Sequence, residues 1–146
     1  ADLRNNYNEI LYLPNEYVYL SSSTTNFYAE YIVMGYTIDS LSINENVKTY
    51  SFYCEQGYSY SVSWLDSFEG YSELNSLMKS QSITGNLVDV KVSGFSTNGN
   101  IIFDSIDAGY IQPQSFTADE TGYYTIRVEP YGSNNYGYFA IKFEQN

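Results

Sequence analysis

The chain contains no histidine and a single cysteine. Those two shortages remove Ser-His-Asp and Cys-His nucleophilic catalysis, His-ligated metals, paired-cysteine redox chemistry and any internal disulfide. Cations are also scarce: 6 Lys and Arg stand against 17 Asp and Glu, a formal net charge of −11. A surface field of that sign repels nucleic acid, anionic lipid and other polyanions, so a nucleic-acid partner is excluded. Apolar runs stop after a few residues, as at Ile101-Ile102-Phe103. A membrane helix needs about 20, so no membrane span is expected. The start at Ala1-Asp2-Leu3 has no basic and apolar leader, which fits either a processed secreted protein or an excised domain.

Tyrosine is what the chain has in excess, 18 of 146 residues, with 8 Phe beside it and charged residues at only 16%. Ser, Thr and Asn are abundant too, and they favour turns, caps and strands over helix interiors. The composition therefore leans to an all-β protein, and the length suits one core.

Periodicity carries that reading along the chain. Residues 1–26 read as an N-terminal arm with one or two short strands, and 27–146 as a β-sandwich within a single domain. From Phe27, Tyr28, Glu30, Ile32 and Met34 alternate with Ala29, Tyr31 and Val33, so both faces of this strand are expected to be partly buried. Val47 to Cys54 puts Tyr50, Phe52 and Cys54 on one face; Glu55-Gln56-Gly57 then reads as a turn, and Tyr58 to Trp64 as the return strand of a hairpin. The stretch 66–86 is polar and irregular, with Leu74, Leu77 and Met78 at helical spacing, and reads as a long loop holding one helical turn. Val88, Val90 and Val92 lead through an Asn98-Gly99 turn into Ile101-Ile102-Phe103, a second hairpin. Tyr124, Ile126 and Val128 share a face of a strand that Pro130 ends, and Phe139, Ile141 and Phe143 share a face of the last one. Eight or nine short strands without intervening helices predict an antiparallel, jelly-roll-like β-sandwich.

Several weak motifs occur in a telling order: Tyr50-Ser51-Phe52 before Gly57, then Val88-Asp89-Val90-Lys91-Val92-Ser93-Gly94, then Asn98-Gly99-Asn100-Ile101-Ile102-Phe103. Ser115-Phe116-Thr117-Ala118, Thr121-Gly122-Tyr123-Tyr124-Thr125-Ile126-Arg127-Val128 and Gly137-Tyr138-Phe139-Ala140-Ile141 follow. From Thr37 to Phe143 this order resembles the bacterial pre-peptidase C-terminal domain family. The resemblance implies a secreted or cell-surface, noncatalytic β-sandwich that accompanies exported proteins and sometimes binds collagen or polysaccharide. Collagen-binding relatives use an acidic, Asn-rich opening stretch for calcium; Asn5-Asn6-Tyr7-Asn8-Glu9 and Asn15-Glu16 are only loosely similar to it.

Three kinds of chemistry remain open to these residues. Calcium takes six to eight oxygen ligands, and Asp66, Glu69, Asp89, Asp104 and Asp107 are the richest local supply, although none forms an Asp-x-Asp-x-Asp-Gly loop. Solvated carboxylates on turns are the plain alternative. Paired carboxylates performing glycoside hydrolysis would need a cleft that predicted turns do not supply, so no enzyme is expected and no catalytic residue is assigned. Tyrosine offers a flat apolar face and a hydroxyl for binding. Tyr50, Tyr60 and Tyr124 alternate with polar neighbours and are expected inside, as are Trp64 and Cys54. Tyr123, Tyr131, Tyr136 and Tyr138 fall on the opposite strand face or in the last turn and are the expected ligand-binding face. Arg127 is expected to pair across strands with a carboxylate such as Glu144.

The sequence therefore points to a binding module whose partner is an extracellular polymer or a neighbouring domain of the parent protein. A structural accessory domain without its own ligand and a carbohydrate-binding module of other lineage are the alternatives.

Overall fold

A computed structural model describes residues 19–22, 26–28, 35–133 and 135–146, the first two segments as backbone. The remainder of the Phe27 to Met34 alternation lies outside the described residues. Among the described residues ten strands and one helix follow one another: β1 (Tyr19–Ser22), β2 (Asn26–Tyr28), β3 (Thr37–Leu41), β4 (Lys48–Cys54), β5 (Ser59–Leu65), α1 (Tyr71–Ser80), β6 (Val90–Phe95), β7 (Ile101–Ile106), β8 (Gln114–Thr117), β9 (Gly122–Pro130) and β10 (Gly137–Gln145).

Two antiparallel sheets result, ordered β2-β1-β4-β9-β6-β7 and β3-β10-β5-β8. Without β1 and β2, which extend one edge, the eight remaining strands form two sheets of four. The chain changes sheet at every step from β3 to β10 except β6 to β7. That alternation is a jelly roll, so the all-β sandwich expected from the sequence is the observed fold.

Period-two alternation explains the core. Tyr50, Phe52 and Cys54 of β4, Tyr60, Val62 and Trp64 of β5, Tyr124, Ile126 and Val128 of β9 and Phe139, Ile141 and Phe143 of β10 all point between the sheets and are buried. Gly94 of β6 is required by close approach: a Cβ there would lie 2.5 Å from a ring carbon of Phe103. Phe103 in turn stacks on Trp64 at 6.5 Å between ring centroids.

Three sequence expectations are corrected. The β4–β5 pair is not a hairpin, because the two strands lie in different sheets. The backbone groups that hairpin pairing would use go elsewhere: Gly57 N–H donates to the Ala118 carbonyl and Ala118 N–H to the Tyr58 carbonyl, each at 2.9 Å, which carries the chain across the sandwich. The segment 66–86 is not merely loop, since α1 runs for 10 residues. Leu74, Leu77 and Met78 fall on one helical face and bury a second apolar cluster with Tyr36, Leu65 and Ala140 on the outside of the β3-β10-β5-β8 sheet. Arg127 does not meet Glu144, which sits on the other sheet; its Nε bonds Glu129 at 3.0 Å and its guanidinium lies over the Phe95 ring.

The β3–β4 side of the sandwich closes on charge. Lys48 occupies an inward position of β4, and its Nζ lies 2.8 Å from Asp39 Oδ1 on β3, the two side chains 5% and 14% exposed. Tyr50 donates its hydroxyl to the other Asp39 oxygen at 2.6 Å. Burial, with the Asp39 carboxylate alongside, holds the Tyr50 phenol protonated far above its ordinary range. Removing one partner of such a pair strands the other charge, so Asp39→Ala should cost about 3–5 kcal/mol in urea unfolding. The double change Asp39→Leu, Lys48→Met should recover part of that loss; single losses that simply add would show that the pair is not coupled.

Candidate functional site

Strand register gathers the long connections at one end of the sandwich. Leu41 of β3 lies opposite Gly137, Leu65 of β5 opposite Ala140, Pro130 of β9 opposite Val90 and Ile106 of β7 opposite Val92. Segments 42–47, 66–89, 107–113 and 131–136 therefore emerge together. The opposite end carries the shorter turns 55–58, 96–100 and 118–121.

A single buried carboxylate organises these long loops. Asp66, immediately after β5, has no solvent exposure. Its Oδ1 accepts the N–H of Phe68 at 2.9 Å and of Glu69 at 2.8 Å, while Oδ2 accepts the N–H of Val90 at 3.0 Å. A short carboxylate side chain bonding two and three residues ahead is the turn-forming behaviour of Asp; the third bond ties that turn to the first residue of β6. Gly70, at φ 79°, then admits the chain to α1.

Further bonds fasten the neighbouring segments. Glu69 Oε1 accepts the N–H of Tyr110 at 2.8 Å and of Ile111 at 3.4 Å. The Asp89 carbonyl accepts Tyr131 N–H at 2.8 Å and Asn135 Nδ2 at 2.9 Å, and Asn135 Nδ2 also donates to the Tyr131 carbonyl at 3.2 Å. Val88 N–H donates to the Tyr138 carbonyl and Ser67 N–H to the Val88 carbonyl, each at 3.0 Å. Four stretches distant in sequence are thus held by side-chain and backbone bonds rather than left as independent loops.

The electrostatics of the pair beneath them are unusual. Burial raises the Asp66 carboxyl to about 6 against the opposing pull of its backbone donors, with the Asp89 charge adding to the rise. Burial also raises Asp89, with Asp107 adding and a hydrogen bond to Asp66 opposing. A hydrogen bond between two carboxyls requires a proton on one of them. With both ionised, the buried Asp89 Oδ1 finds no donor among the described residues.

The expected ligand-binding tyrosines separate. Tyr131 is exposed at the long-loop end, and Tyr136 is half-buried in the same turn. Tyr138, near the start of β10, packs partly buried against the helix cluster, where it leaves no room for a side chain at position 85. Tyr123 sits at the opposite end of β9, its ring edge-on to Tyr53 at 5.4 Å. Eight residues of strand put about 26 Å between Tyr123 and Tyr131, so the four do not form one face.

Of the expected calcium ligands, Asp66, Glu69, Asp89 and Asp107 lie at the long-loop end. Asp104 is apart from them on β7, accepting from the Ser93 and Ser105 hydroxyls at 3.3 and 3.1 Å. Among the described residues no three acidic or cysteine side chains converge as a metal ion would require. Tyr50, Tyr60, Tyr124, Trp64 and Cys54 are buried as expected, and burial pushes the Cys54 thiol up, which leaves it inert.

Sequence reasoning missed Phe68, Tyr71 and Ile111, which are exposed at the long-loop end. Their signal was present, since Phe68 stands between Ser67 and Glu69-Gly70, and Ile111 stands between Gly109 and Pro113, where a core residue is out of place. Comparison with protein-family models, curated proteins and solved structures finds no match.

The Asp66 shift has a defined pH consequence. Its folded value, about 6, exceeds the unfolded value of about 3.9, so the folded chain binds the proton more tightly. The associated stability is fully present below about pH 4 and is lost as pH rises through about 6. Unfolding free energy should therefore increase by on the order of 2 kcal/mol from pH 7 to pH 4.5, measured in enough salt to screen the net charge. Asp66→Asn should flatten that slope; an unchanged slope would mean that Asp66 is not its source.

Proposed function

We propose that this chain is a noncatalytic binding module of a secreted or surface-attached bacterial protein, contacting an extracellular polymer through the long-loop end of its sandwich. One observation carries the reading: of the nine large exposed apolar side chains among the described residues, six (Ile43, Val47, Phe68, Tyr71, Ile111 and Tyr131) are carried by connections at that end. Exposed apolar side chains gathered in one region mark interaction sites more often than scattered single residues do. The motif order from Thr37 to Phe143 supports the exported setting. The noncatalytic reading is supported by what the perturbed acid does: Asp66 is wholly buried and its oxygens are taken up by backbone donors.

Co-sedimentation with insoluble collagen, cellulose, chitin and peptidoglycan tests this directly. Saturable retention on one polymer is expected, weakened about tenfold by Tyr131→Ala or Phe68→Ala and unaffected by Tyr123→Ala at the opposite end. Retention that follows Tyr123 instead would move the binding face. No retention on any of them would favour an accessory domain without its own ligand.

A further inference from the structure

Within the long-loop end, three of the exposed side chains belong together. Glu69 Oε1 binds the backbone of both Tyr110 and Ile111, which clamps the segment after β7 to the turn after β5. The start of α1 closes on the same point, because a Cβ at Gly70 would lie 3.3 Å from the Tyr110 ring. Phe68, Tyr71 and Ile111, at 59%, 55% and 75% exposure, are therefore borne by stretches of backbone that meet at the partly buried Tyr110.

Acidic groups outnumber basic ones around them. Glu69 lies between Phe68 and Gly70, Glu73 lies in the first turn of α1 where it offsets the positive end of the helix dipole, and Asp107 opens the segment that carries Ile111. Lys48 is held by Asp39 and Arg127 by Glu129. Lys142 lies over the Tyr36 ring, which packs 6.5 Å from the Tyr110 ring, and its charge is offset by Glu144 at 3.8 Å. Lys91 is on β6 in the opposite sheet, and Lys79 is in the last turn of α1. Eight helical residues place Lys79 about 12 Å along the axis from Tyr71, beyond the distance of about 8 Å over which surface charges act in physiological salt.

We propose that Phe68, Tyr71 and Ile111, ringed by Glu69, Glu73 and Asp107, form a docking surface for a basic polypeptide segment that carries apolar side chains. The proposal rests on the binding-module reading and narrows its partner. A second copy of this chain is disfavoured, since each copy carries a net −11 and would bring an acidic surface against its own kind. Anionic lipid is repelled by the same field. A neutral polysaccharide stacks on flat rings, whereas the most exposed member of the group is the aliphatic Ile111. Lysine and arginine side chains with apolar neighbours match both the surface and its charge.

The test uses the whole chain and fluorescence anisotropy with three short labelled peptides: repeated Lys-Pro-Leu, repeated Lys-Gly-Ser and repeated Glu-Pro-Leu. The first should bind, more weakly as salt is raised, and Phe68→Ser or Ile111→Ser should each weaken it about tenfold. Both side chains are exposed, so far-UV circular dichroism should be unchanged. Ile101→Ser, at the opposite end, should leave binding intact. Equal binding of Lys-Gly-Ser and Lys-Pro-Leu, or equal binding by all variants, would reduce the interaction to bulk charge and overturn the proposal. Retention on a polysaccharide that Phe68→Ser abolishes, with no peptide binding, would overturn the partner class and leave the binding module standing. Binding to neither peptide nor polymer would overturn both.

Discussion

The long-loop end depends on one buried carboxylate. Asp66 takes three backbone N–H groups from two elements, closing the turn after β5 and fixing the start of β6. Between those points lies the longest connection among the described residues, out through α1 and back. Leaving those donors unpaired in a site without solvent would cost about 1–3 kcal/mol each. An ionised carboxylate there is costly in its own right, and the raised proton affinity is the visible consequence. The same group therefore both organises the loops and makes the stability of the fold depend on pH, greater in mild acid and falling as pH rises through about 6.

Tyrosine solves a related problem in the body of the sandwich. The rings of Tyr50, Tyr60 and Tyr124 fill the space between sheets, and each hydroxyl reaches a polar group at the margin. Tyr50 meets Asp39, Tyr60 accepts the N–H of Glu55 at 2.8 Å, and Tyr124 donates to Asp119 Oδ1 at 3.0 Å. An aliphatic residue would fill the core without tying the turn, so these three tyrosines are accounted for by architecture. This is why tyrosine content by itself does not show which rings are free at the surface. Tyr138 is occupied in packing and Tyr123, though half-exposed, has its ring against Tyr53, whereas Phe68 and Ile111, less conspicuous in composition, are more exposed than either.

The strands were legible because alternation is local. Tyr58 to Trp64 reads correctly from seven residues with no knowledge of the rest, as does the β6–β7 hairpin from its Asn98-Gly99 turn. What the sequence left open depends on partners far along the chain. A four-residue turn after Cys54 suits a hairpin or a crossing to the facing sheet equally well, and the choice is made by Ala118, some sixty residues on. The helix was underestimated because its Ser- and Asn-rich sequence has weak intrinsic propensity, and three apolar residues become a helical face only where Tyr36, Leu65 and Ala140 receive them. Arg127 and Glu144 each follow strand logic correctly, yet ruling out their pairing requires knowing that β9 and β10 belong to different sheets.

The fastening of the loops bears on what that end does. A loop that is ordered only on binding loses conformational freedom at that moment, and the loss is subtracted from affinity. Here Asp66, Glu69 and Asn135 fix the backbone beneath Phe68, Ile111 and Tyr131 in the free chain. For a partner docking there as proposed, side-chain ordering would be the main local cost left, and Phe and Tyr have few torsions to lose. Apolar side chains held out from a braced backbone are poorly explained by folding alone, because the braces would hold equally well with Ser at positions 68 and 111, where the main-chain N–H makes the bond. The same separation of roles lets those two side chains be changed without disturbing the fold that presents them.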